Sequence, residues 1–164
     1  MTIGVISDTH IPFSSKEIHP EVKKIFASCD LIVHAGDMVE VSVLKELQGI
    51  SETKAVCGNM DSDELKKMLP ESIVFEVGGK KIGVVHGKGS GKNVLEWVKN
   101  FFGSKLDVVI FGHSHTPFSE KIGGTLFFNP GSATDTIFSK KRTYGLIHIE
   151  GNDVRGEIVE VSKN

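Results

Sequence analysis

The chain of 164 residues carries 19 Lys and Arg against 21 Asp and Glu, a formal net charge of −2. Its lysines are scattered rather than gathered into a stripe, which leaves no electrostatic footprint for long nucleic acid or an anionic membrane. No run approaches the ~18–20 apolar residues of a membrane span, and the N-terminus meets Asp8 too soon for a secretory leader, so a cytoplasmic protein is expected.

In chain order, short β-branched and apolar runs at 3–7, 31–35, 54–57, 81–85 and 108–111 read as strands buried on both faces. Helical spacing separates them. Behind Pro20, a residue favoured at the first helical position, Val22, Ile25, Phe26 and Cys29 fall at i, i+3, i+4 and i+7. Val43, Leu44 and Leu47 mark a second helix before Gly49, and Val94, Val98, Phe101 and Phe102 a third over 92–102, with Gly103 as its expected C-cap. Gly78-Gly79 separates 73–77 from 81–85, Gly123-Gly124 separates 118–122 from 125–128, and Gly151-Asn152-Asp153 precedes 154–161; each is a hairpin signal. The sheets should therefore be mixed. With no repeat, low-complexity segment or linker, residues 1–164 are read as one α/β layered domain. Cys29 and Cys57, each among apolar neighbours, are expected as free buried thiols.

Five of the strand-like runs finish in polar residues of one chemical kind: Asp8 and His10, then Asp37, Asn59, His86, and finally His113 with His115. Ligands of open α/β sheets gather outside the carboxyl ends of strands, so these distant residues should converge on one crevice. If the backbone stays extended, i and i+2 point the same way, which would aim Asp8 with His10, and His113 with His115, into a common site. Imidazole, carboxylate and one amide oxygen suit borderline divalent ions such as Mn²⁺, Fe²⁺, Ni²⁺ or Zn²⁺, unlike a thiolate structural site. Seven donors exceed the needs of one ion; two ions sharing a carboxylate would use them. Four cationic charges against Asp8 and Asp37 leave a site suited to an anionic phosphoryl group.

The blocks Asp8-x-His10, Gly36-Asp37, Gly58-Asn59, His86 and Gly112-His113-Ser114-His115 resemble the calcineurin-like metallophosphoesterases, and the short length and Asn129-Pro130-Gly131-Ser132 resemble their small single-domain phosphodiesterase branch. The resemblance implies a four-layer αββα sandwich, two mixed β-sheets flanked by helices. It implies one ion on Asp8, His10, Asp37 and His115 and another on Asp37, Asn59, His86 and His113, with Asp37 bridging and Mn²⁺ first among the candidate metals. It further implies a metal-bridging hydroxide attacking phosphorus, with Asn59 and His113 counted as catalytic as well as ligating. Larger members of the family carry a histidine after the motif asparagine. Here Met60 stands there and cannot donate a proton, which favours substrates with good leaving groups unless Asp61 or a metal-bound water substitutes.

Taken singly, each of these residues has an ordinary reading: Asp8 and Asp37 as caps, Asn59 as a turn residue, His86 as a satisfied histidine at a sheet end. His34 reads as a hydrogen-bonded core group, His19 as a surface residue near a helix start, and His148 as a hairpin position. The run 86–92 fails the nucleotide-binding loop pattern, because His86 and Asn93 stand where glycine and Ser or Thr are needed; it reads as an entrance loop with solvated Lys88 and Lys92. Trp97, at helical spacing with Phe101, is expected in the core or at an interface rather than as a base-stacking platform. The expected substrate is a small phosphoester, not long nucleic acid, and the apolar edges of the terminal hairpins would permit a homodimer or higher oligomer. The competing expectation is a non-catalytic scaffold, since the small eukaryotic retromer subunit resembles this branch in fold.

Overall fold

A computed structural model describes residues 1–162, and the expected domain end at residue 164 lies outside them. Residues Thr2–Ile6 form β1, Leu31–His34 β2 and Thr53–Ala55 β3, three parallel strands in adjacent positions. The long hairpin Thr143–Glu150 (β9) and Asp153–Glu160 (β10) completes this sheet in the order β10-β9-β1-β2-β3. The second sheet contains Ser72–Val77 (β4), Lys80–Val85 (β5), Val108–Ile110 (β6), Phe118–Ile122 (β7) and Thr125–Asn129 (β8), ordered β4-β5-β6-β8-β7. Both sheets mix parallel and antiparallel pairs, as the alternation of βα units and glycine turns predicts. Gly78 and Gly79, at φ +58° and +71°, make the β4–β5 turn in the left-handed conformation a two-residue hairpin requires.

Period-two alternation divides the core into layers. Ile3 and Val5 of β1 and Leu31 and Val33 of β2 face Ile82, Val84, Val108, Ile110 and Phe128 across the space between the sheets. The alternate residues Ile6 and Ile32 turn outward against Val22 and Phe26 of α1 (Pro20–Phe26) and Val43, Leu44 and Leu47 of α2 (Val41–Gln48). On the far side, Val85, Val109 and Phe127 meet Val94 and Val98 of the helix Asn93–Phe101. Helices and sheets thus stack in the four-layer arrangement expected.

The helices depart from expectation in three places. The first helix ends at Phe26, and Cys29 stays buried through a tight turn in which its N–H donates to Phe26 O at 3.0 Å. Asp63–Met68 (α3) was not anticipated; six residues are too few for a hydrophobic period, though Ser62 caps the helix by accepting the Leu65 N–H. The last helix, Asn93–Phe101 (α4), closes because Phe102 turns extended (ψ 123°), so Gly103 does not serve as a left-handed cap. Both cysteines are free and buried. No helix among the described residues is long and apolar enough to cross a membrane.

Candidate metal centre

The register aligns the carboxyl ends of β1, β2 and β3, with Ile6 opposite His34 and His34 opposite Ala55, and likewise aligns Val84 of β5 with Ile110 of β6. The loops leaving these ends meet at one rim: Asp8 N–H donates to Gly36 O and Gly112 N–H to His86 O, each at 3.0 Å. All seven predicted donors stand there. Two triads of donor atoms fall within 4.8 Å of one another and could each hold an ion: Asp8, His10 and His115, and Asp37, His86 and His113. Asn59 joins the second through Oδ1, 3.1 Å from His113 Nδ1.

The extended-backbone expectation for the paired residues does not hold. Asp8, His10, Asp37, His113 and His115 all have φ between +43° and +67°, in the left-handed region. Non-glycine residues hold that conformation only when their surroundings over-determine it. Here tight loop bonds do so: Ser132 Oγ donates to Asp8 O at 2.7 Å, Thr134 Oγ1 to Thr9 O at 2.7 Å, and Asn129 Nδ2 to Gly112 O at 3.0 Å. Loop closeness also explains Gly112, where a Cβ would lie 2.0 Å from Ser7 Oγ and 2.6 Å from Asp8 Oδ2.

Three of the histidines are turned by a fixed partner behind them. His86 Nδ1 lies 2.8 Å from Ala35 O, His113 Nε2 2.8 Å from Gly89 O, and His115 Nδ1 2.5 Å from the Asp135 carboxylate. A carbonyl or carboxylate only accepts, so these nitrogens carry the protons and the opposite nitrogen of each ring points inward as a lone pair. The carboxylates are divided in the same way. Asp8 Oδ2 accepts from Ser7 Oγ at 2.7 Å and His113 N at 3.0 Å, while Oδ1, which shares the His113 N–H at 3.2 Å, lies 3.4 Å from His115 Nε2. Asp37 Oδ1 accepts from Met60 N at 2.8 Å, while Oδ2 lies 3.1 Å from His86 Nε2 and 3.6 Å from His10 Nε2, between the two groups. Acceptors therefore face acceptors across a few ångströms. Such a set needs cations, from protons or from metal, and imidazole with carboxylate oxygen fits a borderline divalent ion.

Without metal, protons take that place. Burial disfavours charge on His86, but its bond to Asp37 and the charges of Asp8 and Asp37 overcome this and raise it to about 9. Burial likewise opposes charge on His115, and Asp8 and Asp135 raise it to about 9. Burial would raise Asp8 and Asp37, yet the facing histidines hold both below the usual carboxylate value.

His34 is a core group, as expected. Burial lowers it to about 4, so it is neutral; Nδ1 accepts the Gly36 N–H and Nε2 donates to Thr9 Oγ1 at 3.1 Å. His19 caps α1, accepting the Glu21 N–H. Asp61 is not a free acid. It is 4% exposed, and its carboxylate accepts from Asp37 N, Val39 N and Gly58 N at 3.1, 2.7 and 2.7 Å, which makes it a tie between the loops after β2 and β3. Sequence reasoning also missed Asp135, whose Oδ1 accepts from Ile137 N and Phe138 N while Oδ2 holds His115. The Ser132-Ala133-Thr134-Asp135 run, polar beside the Asn129-Pro130-Gly131-Ser132 block, was its only signal.

A family model for the calcineurin-like phosphoesterase superfamily domain matches residues 1–152. The chain is 34% identical over 161 residues to a probable metallophosphoesterase of Methanothermobacter thermautotrophicus, covering 97% of this chain and 92% of that protein. Among solved structures it is similar to a novel archaeal phosphodiesterase, with 27% identity, a TM-score of 0.73, and coverage of 97% and 100%. It also shares its fold with Vacuolar Protein Sorting 29 from Cryptosporidium parvum, at 24% identity, a TM-score of 0.78, and coverage of 99% and 98%.

Proposed function

The chain belongs to the calcineurin-like phosphoesterase superfamily, and from that premise we propose that it is a single-domain, cytoplasmic phosphodiesterase that hydrolyses small phosphoesters with two divalent cations, manganese first among them. The observation that carries this reading is the pair of converging donor groups, in which His86, His113 and His115 are each fixed from behind with the other ring nitrogen turned inward. Asp8, His10, Asp37 and His115 would hold one ion and Asp37, Asn59, His86 and His113 the other, with Asp37 shared. When bound, such ions supply an activated water of pKa near ~7 and a positive field for phosphoryl oxygens.

The chain's own groups do the rest. Asn59 and His113 border the place of the phosphoryl group, and the Asn59 side-chain amide offers a donor to charge developing on its oxygens. Met60, half exposed beside Asn59, brings no proton, and Asp61 is occupied by three backbone N–H groups. General acid catalysis is worth roughly 10²–10⁴-fold, so its absence favours esters with good leaving groups. Across a series of aryl phosphodiesters the rate should fall steeply as leaving-group pKa rises; a flat series with chemistry rate-limiting would contradict this.

The decisive assay is hydrolysis of bis(p-nitrophenyl) phosphate with added Mn²⁺, before and after chelation, in the native chain and in Asp37→Asn. Chelation should abolish turnover and Mn²⁺ restore it, while Asp37→Asn should lose ion loading and hydrolysis together. Full activity in that variant would defeat the assignment. The scaffold reading draws on the fold shared with Vacuolar Protein Sorting 29 and predicts two bound ions with no phosphoester turned over.

A further inference from the structure

The second donor group opens onto more than a channel for water. A cleft of about 430 Å³ begins at Asn59, His86 and His113 and is walled by Trp97 and Phe101 of α4. Val94 and Val98 carry that helix's core face, whereas Trp97 only borders the core and Phe101 is 39% exposed. The two rings lie 4.7 Å apart between centroids, tilted by 33°. Although Trp97 also packs against the core and Phe101 against Phe102, together they present an aromatic surface to the cleft. Lys88 Nζ stands 5.8 Å from the centroid of the indole, within cation–π range, and steadies it. Lys66 Nζ donates to Asn59 O at 3.0 Å on the same lining, so two ammonium groups outnumber the carboxylate of Glu71.

Resting on the phosphodiesterase reading, we propose that this cleft seats an aromatic ester group of the substrate, the ring of an aryl or nucleoside phosphodiester packed on Trp97 and Phe101 while its phosphoryl group meets Asn59, His86 and His113. Apolar, half-exposed rings reward a flat partner, and one base stacked on an aromatic side chain strengthens binding by roughly tenfold. The volume lies in the lower part of the roughly 300–1,000 Å³ range of small-molecule sites. It accommodates one ring system with its sugar rather than an oligonucleotide, in keeping with the absence of a basic track along the chain.

Trp97 is the chain's single tryptophan, so its fluorescence reports the cleft directly. Phenyl phosphate and uridine 5′-monophosphate, compared with methyl phosphate and ribose 5-phosphate, keep the phosphate and vary the ring. For the ion-loaded protein the ringed compounds should perturb Trp97 emission and inhibit bis(p-nitrophenyl) phosphate hydrolysis with constants at least about tenfold lower than their ringless counterparts. A gap for phenyl phosphate alone assigns the cleft to simple aryl esters, and a gap for the nucleotide alone to nucleosides. Trp97→Ala should close the inhibition gap and Trp97→Phe preserve most of it, with Phe101→Ala as a second probe should Trp97→Ala not fold. Equal constants for ringed and ringless compounds, with hydrolysis intact, overturn the cleft assignment. Loss of all hydrolysis with the fluorescence response retained would sink the phosphodiesterase reading instead.

Discussion

At the scale of single residues, Asp135 decides which nitrogen of His115 is free. Its carboxylate holds Nδ1–H and leaves Nε2 as a lone pair facing Asp8 and His10. Carboxylates behind a ligating histidine are commonly worth about 10–100-fold in metal affinity. Asp135→Ala should weaken Mn²⁺ binding by that factor in a calorimetric titration, and an unchanged affinity would contradict the role. Protons compete for the same lone pairs. With His86 and His115 raised to about 9, both are protonated near neutrality in the metal-free chain, so ion binding must displace about two protons. Apparent metal affinity should therefore rise with pH up to about 9, and titrations in two buffers of different ionisation heat should read the release at pH 7.5. The metal-free fold responds with the opposite sign. These raised histidines contribute stability that is complete below the ordinary value of 6.5 and lost as pH climbs through about 9, so the chelated protein should melt earlier at pH 9 than at pH 7 from this source.

At the scale of elements, the site is made by loops and only aimed by strands. Asp61 binds the loop after β2 to the loop after β3 through three N–H groups, including that of Val39 at φ +79°, a conformation a β-branched residue rarely adopts. Asp61→Asn leaves one oxygen for three donors and should destabilise the fold by about 1–3 kcal/mol, the cost of an unmet buried donor. Because Asp37 belongs to that loop, the same variant should also bind Mn²⁺ more weakly than stability alone accounts for. Chemical denaturation of the metal-free chain beside a Mn²⁺ titration separates the two effects; a loss of stability with full affinity would confine Asp61 to packing.

At the scale of the molecule, the two sheets must hold their distance for the rim to keep its shape. Phe128, fully buried between them, fills the space against β9 and β10, where a Cβ on Gly145 would come within 2.3 Å of its ring. Phe128→Ala should cost about 3–5 kcal/mol in denaturant unfolding, with a lower midpoint and little change in slope. That core was legible from the β-branched runs, since strands buried on both faces leave a nearly continuous apolar signature, as Leu31–His34 does. That the seven candidate donors meet at one rim was legible for a related reason: strand ends in an α/β fold face a common rim, so His86 and His113 stand out by position. Other features left little trace in the one-dimensional pattern. Helix α3 is shorter than two turns, and the left-handed φ of Asp8, His10, His113 and His115 replaces the extended geometry their spacing suggests. Asp61 and Asp135 look like any surface carboxylate until the chain brings Gly58 and His115 to them. The sequence by itself determined the layered α/β architecture, the candidate donors and the chemistry such residues suit, because periodicity and residue type are local properties. Only the tertiary structure decided which nitrogen of each ring faces inward, how the acidic partners are engaged and that Trp97 and Phe101 border the donors, because these depend on contacts between segments far apart in the chain.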